Sequence, residues 1–206
     1  MTVGLATTGA LAFYTANSES MMNLMVQNTA IFFILMLAQL GLVFYLASGV
    51  QKMTASQATG TFILYSGLNG ITFSFIFLAY TASSITGTFL VTAGTFGVMS
   101  LYGYTTQKDL TSWGSFLFMG LIGLVMASLV NLFMHSPALT WITTYAGVLI
   151  FVGLTAYDTQ KIKMMNILGN EGTEEDHKEA IIGALTLYLD FINLFLMILR
   201  IMGDRR

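Results

Sequence analysis

The run AIIGALTLYLDFINLFLMILRI, residues Ala180 to Ile201, reads as a helix that crosses a membrane with one costly passenger, Asp190, near its middle. A helix rises 1.5 Å per residue, so a stretch of about twenty apolar residues covers the ~30 Å of hydrocarbon in a bilayer. An aspartate at the centre of such a helix is unfavourable by roughly 2.5 to 3.5 kcal/mol, and such residues face a protein interior or a water-filled cavity. At 100° per residue, Gly183, Thr186, Asp190, Asn193 and Met197 fall in one stripe, with Ile, Leu and Phe on the other faces. The stripe predicts a polar seam turned towards neighbouring helices.

A second aspartate shares the problem. Asp158 closes the stretch 110–157, which contains no Asp, Glu, Lys or Arg. Thr140, Thr144, Gly147, Thr155 and Asp158 gather on one side of that helix. The composition fits the same solvent: 55% of residues are hydrophobic and 9% charged, against ~25% charged in soluble domains. A net charge of -2 with no basic stripe argues against a nucleic-acid partner. The absence of cysteine removes disulfides and thiolate chemistry.

Working outward, seven hydrophobic segments appear, near Thr2 to Thr15, Asn28 to Ala47, Ala58 to Ala79, Ser84 to Tyr104, Trp113 to Met134, Leu139 to Tyr157 and Ala180 to Ile201. The expectation is an all-α integral membrane protein, with residues 1–206 as a single transmembrane domain. The first segment is short and lacks the basic flank of a secretory signal, so it reads as a marginal or trimmed first helix rather than a cleaved peptide. These long, unalternating runs are unlike barrel strands. Gly87, Gly94 and Gly97, and Gly120, Ala127 and Asn131, form small-residue faces that read as packing seams. Lys52, Lys108, and the group Lys161, Lys163 and Lys178 occupy alternate breaks, which by the positive-inside rule places the amino terminus in the cytoplasm. Arg205 and Arg206 run against that rule if all seven segments span.

Soluble-enzyme chemistries find no footing. The chain has no phosphate-binding glycine loop followed by Lys-Ser/Thr, no G-x-S-x-G elbow and no H-E-x-x-H. The acidic loop from Asn166 to Glu179 lacks the ligand ladder of a calcium-binding loop and reads as solvated. Within it, Thr173 and Asp176 suggest a helix cap, so that the last helix starts before the membrane does. His135 and His177 lie in different loops and make no joint metal site. Tyr157-Asp158-Thr159 and Leu189-Asp190-Phe191 do not resemble the Tyr-Asp and Gly-x-Gly-Asp pair of presenilin-like proteases. The chain is read as a non-enzyme without a resident cofactor.

GLTAYDTQKIK (Gly153 to Lys163) and LYLDFINLFLMILRIMG (Leu187 to Gly203) resemble the paired signature of the transmembrane Bax-inhibitor family, the proteobacterial branch in particular. Leu68 to Leu124 is similar to the same branch. The resemblance implies a seven-helix bundle with the last helix central, an inner-membrane location in a bacterium, and a di-aspartyl pair that senses pH for a calcium leak. By motif that pair is Asp158 and Asp190. The family's arginine partner for one aspartate has no counterpart before Arg200, so Lys52 or Lys161 would supply the charge.

Several expectations follow. The two carboxyls should lie within hydrogen-bond reach, flanked by Asn193 or backbone groups, which requires the sixth helix to continue through Lys161 towards Met165. Two carboxyls in a weakly solvated site cannot both ionise cheaply and should titrate in two macroscopic steps. Oxygen ligands suit hard cations such as calcium, but calcium takes 6 to 8 oxygens, so binding by Asp158 and Asp190 should be weak. Two other functions remain open: a regulatory or scaffold protein acting through membrane partners such as proteases, and a proton-coupled transporter.

Overall fold

A computed structural model describes residues 1–165 and 172–206 as helices joined by short connections; the part of the acidic-loop reading at 166–171 lies outside the described residues. The helices are α1 (Thr2–Ala16), α2 (Glu19–Gln27), α3 (Thr29–Gly49), α4 (Ala55–Phe73), α5 (Ile76–Ala79), α6 (Ala82–Thr105), α7 (Thr111–Met134), α8 (Pro137–Met165) and α9 (Glu174–Met202). Six stretches are long and apolar enough to cross a membrane, beginning with Thr29–Lys52. The 15-residue α1 is not among them.

The differences from the sequence reading have local causes. The short α2 lies in what reads as a polar break, and Ser18 caps it by accepting from the Met21 amide. The third segment is interrupted after Phe73, where the Ser74 hydroxyl donates to the Ile71 carbonyl at 2.7 Å and α5 follows at a new start. The last helix does begin ahead of its apolar run, at Glu174, as the Thr173–Asp176 cap pattern predicts, and the Thr173 hydroxyl accepts from the Asp176 amide at 3.2 Å. Glu174, Glu175 and Asp176 oppose the positive end of the helix dipole there.

The chain forms two compact units, and α9 contributes to each: as far as Tyr188 to the first and from Leu189 to the second. In the first unit α1 lies along α4, and α3 packs on α4. A methyl group at Gly70 would stand 2.6 Å from the Thr8 carbonyl oxygen, so that only glycine permits this approach of α1 and α4. Gln39 of α3 donates to the Leu68 carbonyl at 3.1 Å and to the Thr72 hydroxyl.

In the second unit α7 and α8 form a hairpin. His135 takes the left-handed conformation at φ 49° to close α7. Asn131 then ties the corner, accepting from the Ser136 amide at 2.9 Å and donating to the Thr140 hydroxyl at 2.7 Å. The core beneath is apolar, with Leu117, Leu124, Phe151, Leu154, Leu194 and Ile198. Phe89 and Phe96 of α6 meet Phe191 edge-on at 5.5 and 5.4 Å. The seam expected at Gly87, Gly94 and Gly97 is not there: a Cβ at each would meet open space. The close approach of α6 is at Gly103, against the Ala156 backbone. Gly120 does face α8, opposite Ile150.

Candidate functional site

Continuation of α8 to Met165, beyond the apolar run that ends at Tyr157 and as the meeting of the two aspartates requires, makes the site possible. Its last turns are polar, and these groups find partners. The Thr159 hydroxyl donates to the Thr155 carbonyl at 2.7 Å. Gln160, buried to 8% exposure, accepts from the Leu110 amide at 2.9 Å and donates to the Lys108 carbonyl at 2.8 Å. Lys163 donates to the Tyr104 carbonyl at 2.8 Å and lies over the Tyr104 ring at 4.8 Å. The Tyr157 ring covers Gly114, where any side chain would collide with it. Tyr157, Gln160 and Lys163 of the 153–163 signature thus pack onto α6, α7 and the connection between them.

The face of α8 turned to α9 carries the aspartates' partners in order. Gly147 receives Met197, whose sulfur would be 3.1 Å from a Cβ there, and Arg200 Nη1 donates to the Thr144 hydroxyl at 3.3 Å. Three turns along from Gly147, Asp158 meets Asp190, carboxyl to carboxyl. Asp158 is 9% exposed and Asp190 5%. Asp190 Oδ2 is buried with no N–H or O–H donor among the described residues. A carboxylate only accepts hydrogen bonds, so the contact is a bond when one of the two holds a proton. The pair thus brings two carboxyls together between two helices.

The supporting residues divide. Lys161, exposed one turn beyond Asp158, interacts with it electrostatically. Asn193, expected with backbone groups as an alternative flank for the carboxyls, donates to the Leu189 carbonyl of its own helix at 2.8 Å. Lys52 is an exposed residue of the short turn Val50–Lys52 in the first unit. Among the described residues no group of three or more His, Cys, Asp or Glu could hold a metal ion; the pair offers carboxyl oxygens from two side chains only.

Two residues escaped the sequence reading. Gln160 looks there like any polar residue at a helix end, and its partners are about fifty residues away. Tyr188, fully buried in the first unit, bonds the Thr8 hydroxyl at 2.7 Å and meets the Phe62 and Tyr65 rings edge-on. A lone phenol inside a Leu-rich run was the available signal, since a buried Tyr hydroxyl needs a partner.

Fold and site define a class: a helical integral membrane protein with two carboxyls buried against one another between two of its helices. The chain belongs to the Bax-inhibitor family, matched over residues 1–206 by the model described as Inhibitor of apoptosis-promoting Bax1. It is 56% identical to the inner membrane protein YbhL of Escherichia coli strain K12, over 100% of this chain and 88% of that protein. It is also 48% identical to Uncharacterized protein RP147 of Rickettsia prowazekii, over 100% of this chain and 86% of that one. A protein of Borreliella burgdorferi is 45% identical, with 100% and 89% covered.

Proposed function

We propose that the protein is a pH-sensitive leak for calcium or similar cations, acting in a bacterial inner membrane without enzymatic chemistry and gated by Asp158 and Asp190. One observation carries the reading: the Asp158 and Asp190 carboxyls meet between α8 and α9, and Asp190 Oδ2 is buried without a hydrogen-bond partner among the described residues. With one proton shared, the pair ties α8 to α9. With both carboxyls ionised, two like charges in a poorly solvated place must separate, take up a cation, or draw in Lys161. A proton and a hard cation therefore compete for the same oxygens, and cation occupancy becomes a function of pH. Calcium bound there would be held weakly, its remaining ligands coming from water or backbone carbonyls.

The test is calcium flux into liposomes containing the purified chain, followed across pH. The expected result is flux whose pH dependence flattens in Asp158→Asn and in Asp190→Asn, because an amide does not titrate. If both variants keep the wild-type pH profile, the pair is a structural hydrogen bond. If the wild type carries no calcium at any pH, a regulatory role through membrane partners takes the place of this reading; proton movement that requires an added substrate would point to a transporter.

A further inference from the structure

Arg200 is not used by the aspartate pair. It lies two residues before the end of α9 and is exposed, whereas residues 181–199 of the same helix are buried or half-buried. Among the described residues it makes one long hydrogen bond, Nη1 to Thr144 Oγ1 at 3.3 Å. The Thr144 hydroxyl already donates to the Thr140 carbonyl at 2.7 Å, so it serves the guanidinium as an acceptor only. A guanidinium carries five N–H donors in a planar fork, and no carboxylate among the described residues pairs with this one. Next to Thr144 along α8, three residues before it and one after, the Trp141 and Tyr145 rings stack at 5.7 Å and 24°. Both are exposed, at 44% and 54%.

The placement of these groups narrows what can satisfy them. Trp141 is in the second turn of α8 and Arg200 in the last turn of α9, and the Thr144 contact brings the two antiparallel ends together. Both lie where the spans leave the hydrocarbon. Trp and Tyr concentrate at this level of a bilayer, where the ring is in the acyl region and the polar edge in the headgroups. A lipid-facing cation at the same level extends towards the headgroups and cannot stay unpaired in hydrocarbon without cost. The ligand that meets a guanidinium at that depth is a phosphodiester, whose two free oxygens match the fork.

We propose that Arg200, held by Thr144 and bordered by the Trp141–Tyr145 stack, seats the phosphodiester headgroup of a bilayer phospholipid. The proposal is independent of whether the protein conducts ions. Two tryptophans are present in the chain, so Trp113→Phe leaves Trp141 as the sole reporter beside the seat. The delipidated full chain in detergent is titrated with short-chain phosphatidylglycerol while Trp141 emission is followed. Diacylglycerol of the same chain length and inorganic phosphate are titrated in parallel. The expected result is a saturable change with the phospholipid alone, weakened about tenfold in Arg200→Ala, the size of a lost charge-assisted contact. Arg200→Lys, which keeps the charge and stem but not the fork, should bind several-fold more weakly and covers the case in which the alanine variant does not fold. Unchanged affinity in both variants, or an equal response to diacylglycerol, overturns the proposal. Saturation by inorganic phosphate at the same concentrations also overturns it, by showing a site for free anions.

Discussion

Single residues separate the pH response of the site from that of the rest of the molecule. Asp109, in the loop before α7, accepts from the Thr111 amide at 2.8 Å and from its hydroxyl, and these bonds hold its carboxyl below its ordinary value. A carboxylate held down in the folded chain adds stability that is complete above the ordinary value of about 3.9 and drains away as pH falls through the lower folded one. Nothing in that loop then titrates near neutrality on account of Asp109. Asp109→Asn should leave the pH profile of calcium flux unmoved, and a shifted profile would mean that the aspartate pair is not the group being read. Tyr188 makes a stability prediction of the same grain. Tyr188→Phe removes one buried hydroxyl and should lower stability by about 1 kcal/mol, seen as a lower thermal midpoint in detergent. The aspartates could be found from sequence because an ionisable group in an apolar run is conspicuous. Tyr188 and Gln160 could not be assigned partners, because what makes them matter is distant in the chain.

The helices show where pattern suffices and where packing decides. Long apolar runs located α3, α6 and α7 to within a few residues, because hydrocarbon demands a length whatever the neighbours do. The end of α8 was set instead by the α6–α7 corner, where Gln160 and Lys163 exchange bonds with Tyr104, Lys108 and Leu110. Gln160→Ala should release that corner, raising amide hydrogen exchange at Leu110 and its neighbours while exchange in the middle of α7 stays as it was. Equal protection in the variant would assign the corner's order to other contacts. Glycines teach the converse lesson, since spacing alone could not tell the open face of Gly87, Gly94 and Gly97 from the contact at Gly103. Gly103→Ala places a methyl group against the Ala156 backbone, and overpacking of that kind should cost about 1 to 3 kcal/mol, visible in thermal unfolding. Gly94→Ala, beside open space, should cost nothing comparable.

At the scale of the molecule, the orientation inferred from lysines can be tested on a chain without cysteine, in which each introduced thiol is unique. The 24 residues of α7 cover ~36 Å, so its two ends emerge on opposite sides of a bilayer. Lys108→Cys should react with an impermeant thiol reagent from the cytoplasmic side only, and His135→Cys from the opposite side only. The reverse pattern would invert the orientation. The division of α9 between the two compact units bears on how the protein is made. A ribosome delivers this helix after α1 to α8, so both units wait for one late segment, and what is inserted before it is provisional. A chain that stalls short of α9 lacks the partner of Asp158 and the phenol that closes on Thr8 at once. Such a product exposes polar groups to lipid in two places, which makes an unfinished copy easy for membrane quality control to tell from a finished one.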